Sequence, residues 1–329
     1  MRNEPIVSLC IPTNGVIQWV FPVLDSIYAQ GVDPKLYEVV VMDNGQNGEF
    51  KQLMREYAAG RENLVYRETD AYEFMSEIET YKAASGKFIK FINHRTKLLP
   101  GTLMTFIQFV LENEATKPVI YFGNNGIPTL PQAVVKLDSF DGFVKELSYV
   151  SSWSTGMAFW KSSFESIPDL TKANELFPHT LILFSDRTNR EYIIDNRFLL
   201  DEIPVGKIPK GRYNLFNAFA VEYPSIILDL YLSKDIAKET FLSVKKDNLG
   251  FVRKLWFDYI FRKSPCSYDL SGYKESVSCF YSLFQVRMGL FTCGKKYLWE
   301  KISTWLIGIP FLRKTVRKIK RMLFPERYV

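Results

Sequence analysis

The sequence predicts an α/β fold around a mostly parallel sheet. Short apolar runs alternate with longer helix-like segments over the first hundred residues, and most of the runs stop at a turn-forming residue. Such sheets bind ligands at the carboxyl ends of their strands. The first run, Ile6–Ile11, is a buried strand halted by Pro12. Residues 16–30 fit a helix in spite of Pro22, with Gly31 as its stop. Glu38–Met42 is the second strand and ends at Asp43-Asn44-Gly45. A helix near 49–59, a short strand at Leu64–Tyr66 and a helix over about 73–85 follow. Lys87–Ile92 is the next strand, and another helix begins after Pro100-Gly101. Neither common Gly-rich phosphate loop is present in the sequence.

Composition sets the limits. A chain of 329 residues with 47% hydrophobic and 24% charged residues has the make-up of a packed globular protein. The four cysteines (Cys10, Cys266, Cys279, Cys293) lack zinc-like spacing and read as free thiols in a reducing compartment. Two histidines, His94 and His179, exclude a multi-histidine metal site. Met1-Arg-Asn-Glu-Pro5 leads straight into a strand, so no signal peptide is expected, and the apolar stretch Trp305–Leu312 is too short to span a bilayer.

Charge is concentrated at one end. Residues 295–329 hold ten Lys and Arg against two Glu, a net of +8, while the whole chain carries +6. Trp299, Ile302, Trp305, Leu306, Ile309, Val316, Ile319 and Leu323 alternate with those cations at helical spacing. This pattern suits the surface of an anionic membrane, and a helix packed on the body with a solvated basic side is the plainer alternative. A nucleic-acid partner is not expected, since the remaining residues sum to about −2.

Four segments in order then carry a resemblance: Val7-Ser-Leu-Cys-Ile-Pro-Thr-Asn14, Glu38-Val-Val-Val-Met-Asp-Asn-Gly45, Ala84-Ser-Gly-Lys-Phe-Ile-Lys-Phe-Ile92 and Leu98-Leu-Pro-Gly-Thr-Leu103. Together they resemble the family 2 inverting glycosyltransferases, whose nucleotide-binding fold is called GT-A. The resemblance covers about residues 5–105 and weakens towards 200. It implies that Pro12, Thr13, Asn14, Asp43 and Asn44 hold the base and ribose of a nucleotide-sugar donor. A carboxylate at a strand end supplies the acceptor that a base imide or ribose hydroxyl needs, although Asp-Asn-Gly also favours a plain turn.

Two departures from the family matter. Its Asp-x-Asp-Asp cluster, whose carboxylates hold a divalent cation, aligns with Asn93, His94, Arg95 and Thr96, which offer none. The expectation is therefore a donor site without metal or other cofactor, containing Asn93, His94 and Arg95, in which Arg95 takes the cation's place on the diphosphate. Lys207, Lys210 and Arg212 come from a Gly/Pro-containing loop placed to close over that diphosphate. The family's Arg-Asn donor contact is also missing, with Glu77-Ile78 in its place.

The general base is left open. Ser154-Thr-Gly-Met-Ala-Phe159 matches a family landmark, and the catalytic carboxylate expected about 25 residues further on falls at Pro178-His179-Thr180. His179 is a candidate base by its ordinary pKa and equally a structural histidine in an apolar segment; Glu175 is the nearby carboxylate, with Asp186 third. Tyr121–Gly126 and Tyr149–Trp153 are expected to face the acceptor.

The expected organisation is a GT-A domain over 1–212, a helical, aromatic-rich appendage over 213–294 and a basic amphipathic tail over 295–329. The expected activity is transfer of a hexose or deoxyhexose to a lipid-linked or polymeric acceptor in bacterial surface-polysaccharide assembly (O-antigen or capsule), on the inner face of the plasma membrane. An oligomer is possible. The competing expectation is an inactive GT-A-like scaffold or glycan-binding subunit.

Overall fold

The computed structural model describes residues 4–130, 132–205, 211–295 and 297. Its central sheet has eight strands: β1 (Val7–Thr13), β2 (Tyr37–Asp43), β3 (Leu64–Glu68), β4 (Phe88–Phe91), β6 (Val119–Phe122), β7 (Val134–Leu137), β8 (Met157–Trp160) and β9 (Tyr192–Asp195). A separate ribbon pairs β5 (Thr96–Leu98) with β10 (Leu200–Glu202). The strand order is β3-β2-β1-β4-β8-β6-β9-β7. β2, β3 and β4 join β1 in parallel, β8 runs antiparallel between β4 and β6, and β6 and β9 are again parallel. The carboxyl ends of β1, β2, β4, β6 and β9 therefore share one edge. The chain crosses from β3 back over to β4 on the other side of β1, which makes the end of β1 a topological switch point.

β2 is buried along its whole length and β1 at every residue but the half-buried Pro12, so neither shows the in–out alternation of a half-solvated strand. One face is covered by α1 (Ile17–Tyr28), which contributes Val20, Val23, Leu24 and Ile27, and by α4 (Thr102–Asn113), which contributes Leu103, Phe106, Ile107 and Val110. Pro22 sits inside α1 as the sequence predicts, in a helix that carries no side-chain N-cap bond. α2 (Gly48–Ala59) starts where the Asn47 side chain accepts from Phe50 N–H. α3 (Ser76–Ala83), α5 (Phe140–Leu147), α6 (Lys161–Glu165) and α7 (Pro178–Leu183) complete the connections.

The Ala84-Ser-Gly86 segment has a structural reason. Glu38 is 6% exposed and accepts from Ser8 Oγ at 2.5 Å, Ser85 Oγ at 2.7 Å, Gly86 N–H at 3.1 Å and Ser85 N–H. One carboxylate thus ties together the starts of β1, β2 and β4. A Cβ at Gly86 would lie 2.6 Å from Ser8 Oγ, so the position needs glycine.

The chain divides into two units. The first holds the described residues up to 205 together with Glu222–Lys245; the second holds 211–221 and the described residues from Lys246 on. Residues 222–245 thus join the sheet unit rather than the appendage the sequence predicts from 213. Specific bonds explain it: Tyr223 OH bonds Ser148 O and Ser151 Oγ, Asp141 accepts from Ala237 N–H and Thr240 Oγ1, and Asp235 pairs with Arg187. The second unit contains α8 (Leu215–Asn217), the end of α10 (Lys238–Leu255), α11 (Tyr273–Ser278), α12 (Leu283–Arg287) and α13 (Gly289–Thr292), while α9 (Tyr223–Leu232) belongs to the first. The helical run Leu215–Leu232 is long and apolar enough to cross a membrane by length and composition, and half of it is buried inside the chain. Apart from Lys295 and Tyr297, the basic tail over 295–329 lies outside the described residues, as do Lys207 and Lys210.

Candidate functional site

The switch point gathers Thr13, Asp43 and His94. Register alone brings the first two together, because Thr13 pairs with Asp43 across the parallel strands. His94 follows β4, and its Nδ1 lies 3.0 Å from Thr13 Oγ1, which also accepts Gly15 N–H at 3.1 Å. The His94 ring packs 5.1 Å from Trp19. Burial, with the Arg95 charge beside it, pulls the His94 pKa down to about 4, so the imidazole is neutral at pH 7.

Asp43 is 1% exposed and accepts from Gly45 N–H at 2.8 Å and Tyr66 OH at 3.1 Å. Desolvation raises its pKa and those two bonds oppose the rise. Each carboxylate oxygen keeps a lone pair beyond these bonds, an acceptor that a base or ribose group reaches only if the side chains covering Asp43 part. Asn44 turns the other way: its amide donates to Ala71 O at 3.1 Å and Glu73 O at 3.0 Å, pinning the loop after β3. Asn14 is exposed beside this group and Pro12 half-buried.

Gly45 closes the corner. A Cβ there would lie 2.2 Å from Asn14 O and 3.0 Å from Asp43 Oδ1. Gly45→Ala is expected to force the ends of β1 and β2 apart and to cost about 1–3 kcal/mol as overpacking. Thermal melts of the variant check this.

Arg95 sits at the start of the β5–β10 ribbon. Its Nη1 donates to Ile203 O at 3.2 Å and pairs with Glu202 Oε2 at 3.0 Å, and its side chain is 16% exposed. Asn93 Oδ1 accepts Arg95 N–H at 3.1 Å, an Asx turn that shapes this corner. The turn does not fit a hard divalent cation. Asn93, His94, Arg95 and Thr96 supply no carboxylate, and among the described residues no three His, Cys, Asp or Glu side chains gather as ligands. Arg212 is exposed and belongs to the second unit.

The base candidates separate. His179, on the first turn of α7, is 3% exposed; its Nε2 lies 3.2 Å from Ser151 O and its Nδ1 lies 3.9 Å from Glu77 Oε2 without a hydrogen-bond partner. Burial pulls its pKa down to about 4. Glu77, also buried, accepts from Tyr81 OH at 3.5 Å and from the Ser154 hydroxyl, and burial pushes its pKa up to about 8. Glu175 is exposed. Its charge contributes, behind that of Glu73, to a raised Tyr72 pKa, which puts it near the loop that Asn44 pins. Asp186 instead accepts from Asn189 Nδ2 at 2.9 Å and Thr188 N–H at 3.3 Å.

The Ser154–Gly156 turn is held from two sides. Lys90, wholly buried in β4, donates to Thr155 O at 2.7 Å, Phe91 O at 2.9 Å and Met157 O at 3.2 Å, and burial pulls its pKa down to about 7. Tyr121 OH donates to Val150 O and Trp153 O, and its ring fills the space a Cβ on Gly156 would need. Further along the same sheet edge, Asp195 ends β9 and grips Arg197 through Nε at 2.9 Å and Nη2 at 2.5 Å, with Phe198 beside it 58% exposed. These residues carry no motif in the sequence; the only signal is the Asp-x-Arg spacing at a strand end.

No protein-family model and no curated protein matches the chain. Solved structures do. S. aureus TarS residues 1–349 in complex with UDP-GlcNAc aligns with a TM-score of 0.55 at 15% identity, over 83% of this chain and 80% of that one. The mannosyltransferase PcManGT from Pyrobaculum calidifontis, in complex with GDP-Man and Mn²⁺, aligns at 0.52 and 14% identity over 95% and 84%. The fold is GT-A. The GT-A sheet places Thr13, Asp43 and His94 on the strand edge where ligands of such sheets bind.

Proposed function

We propose that this chain is an inverting glycosyltransferase that moves a sugar from a nucleotide-sugar donor to a glycan acceptor. The observation that carries this is the meeting of Thr13, buried Asp43 and neutral His94 at the switch point of a GT-A sheet. Asp43, with Thr13 and Asn14, binds the base and ribose. Arg95 stabilises the leaving diphosphate in place of a cation, in keeping with the absence of carboxylates over 93–96. Glu175, exposed near the Tyr72 loop, is the better-placed general base, because His179 is closed off from solvent. A lipid-linked or polymeric acceptor in bacterial surface-polysaccharide assembly (O-antigen or capsule), reached from the cytoplasmic face of the plasma membrane, accords with the basic, aromatic residues over 295–329.

A second reading, an inactive glycan-binding or scaffold subunit, is favoured by the pairing of Arg95 with Glu202. Calorimetric titration with UDP, CDP, GDP and dTDP, each under EDTA and again with Mn²⁺, decides between them. Binding of one nucleotide under EDTA is the expected result. Binding that requires Mn²⁺ refutes the metal-free site, and no binding under either condition favours the scaffold.

A further inference from the structure

The second unit exposes an aromatic and basic stripe. α12 and α13 meet at Met288, whose backbone is itself helical (φ −56°, ψ −14°). Met288 N–H donates to Phe284 O and Thr292 N–H to Met288 O, so the winding continues through the junction. Residues three, four and seven apart then share a face. That face presents Phe284, 74% exposed, Phe291, 56% exposed, and the exposed cation Arg287, and the exposed Lys295 follows just beyond the end of the helix.

The opposite face is firmly packed. Val286 and Gly289 are buried, a Cβ on Gly289 would lie 2.8 Å from Arg253 O, and Arg253 Nε donates to Gln285 O at 2.8 Å. The outward phenylalanines are thus held in place by a clamped helix rather than left out by poor packing. Nearby, Phe261 is 40% exposed, followed by the exposed Arg262 and Lys263, and its ring meets Tyr297 at 6.1 Å. Soluble chains seldom leave large aromatic side chains grouped in water without a partner.

We propose that this stripe is a membrane-docking surface, inserting Phe284 and Phe291 among the headgroups of an anionic bilayer with Arg287 and Lys295 against lipid phosphates. Charge selects the occupant. A second copy of the same stripe would set its cations against their own kind, and the 295–329 segment, net +8, calls for an anionic partner of its own. An anionic surface neutralises both, and apolar insertion plus basic attraction is how interfacial helices bind. The proposal deepens the membrane association suggested above but rests on the second unit alone.

The test is co-sedimentation of the full chain with phosphatidylcholine vesicles, with and without phosphatidylglycerol, over a salt series. Wild type is expected to bind only the anionic vesicles, less tightly as salt rises. The exposed double variant Phe284→Ser/Phe291→Ser is expected to lose about tenfold or more in partitioning, and Arg287→Gln to lose less and show a shallower salt dependence. Unchanged partitioning of the double variant overturns the proposal. So does a change in its oligomeric state by sedimentation without a change in vesicle binding, which would assign the stripe to a second copy. UDP, CDP, GDP and dTDP titrations of the same samples keep the two proposals separate. A chain that docks but binds none of them sinks the transferase reading and leaves the docking surface standing.

Discussion

Arg95→Ala is expected to lower the rate of nucleoside diphosphate release from the bound donor by about a hundredfold or more, the scale for losing one donor that stabilises developing charge. The apparent obstacle is that Arg95 is already paired. Its partner decides whether that matters: the Glu202 side chain is 58% exposed, and ion pairs at the water's edge are worth only about 0–1 kcal/mol. A diphosphate brings more charge and a better geometric match to a guanidinium than one mobile carboxylate does. On the proposed function, donor binding would displace Glu202, while the Ile203 carbonyl keeps the guanidinium aimed. Glu202→Gln is accordingly expected to retain activity and bind the nucleotide at least as tightly as wild type. Arg95→Ala is expected to melt within a few degrees of wild type, which separates lost chemistry from lost folding. Full activity in Arg95→Ala, or abolition of wild-type activity by EDTA, would refute the role assigned to Arg95.

β1, β2 and β4 are legible in the sequence because they are buried on both faces. Ile6–Ile11, Glu38–Met42 and Lys87–Ile92 fall within one or two residues of β1 and β2 and span β4. β6, β8 and β9 are harder, being four-residue strands with aromatic residues at several positions. Nothing in such short runs encodes direction, so the antiparallel entry of β8 between β4 and β6 is a tertiary fact. The corner at Thr13 and Asp43 is legible as motifs, yet Asp43-Asn44 does not announce that one side chain is held by Gly45 and Tyr66 while its neighbour ties down a loop. Burial is the least visible quantity: His179 and Glu175 stand four residues apart, one sealed in the core and the other in solvent. The departure at Glu77 is similar. Read alone it is a missing donor contact, whereas in the fold it is half of a buried pair with His179.

That pair gives the second large effect. Burial raises the Glu77 pKa from 4.5 to about 8, so the folded chain keeps a proton that the unfolded chain releases between those values. Stability from this group therefore falls as pH rises from about 4.5 to 8 and is level beyond, the reverse of a salt-bridged carboxylate. His179 moves from 6.5 to about 4, so the unfolded chain binds the extra proton between them, and this contribution rises with pH until 6.5. His94 adds a slope of the same sign over the same range. Lys90, lowered from 10.5 to about 7, adds a rising contribution above 7. The whole-chain profile mixes all four, and Glu77→Gln isolates one, because the amide imitates the protonated acid. The variant is expected to match wild type near pH 4.5 and to become more stable as pH rises. By pH 7 the gain is about 3 kcal/mol, taking about 1.4 kcal/mol per unit between 4.5 and 7, and for 329 residues it corresponds to roughly 4 °C in Tm. Paired melts at several pH values read this difference directly. A gap that does not widen with pH would mean that Glu77 is ionised in the fold. The 3.9 Å separation from His179 would then be a true ion pair, and His179→Gln would destabilise the chain by leaving a buried carboxylate without its partner.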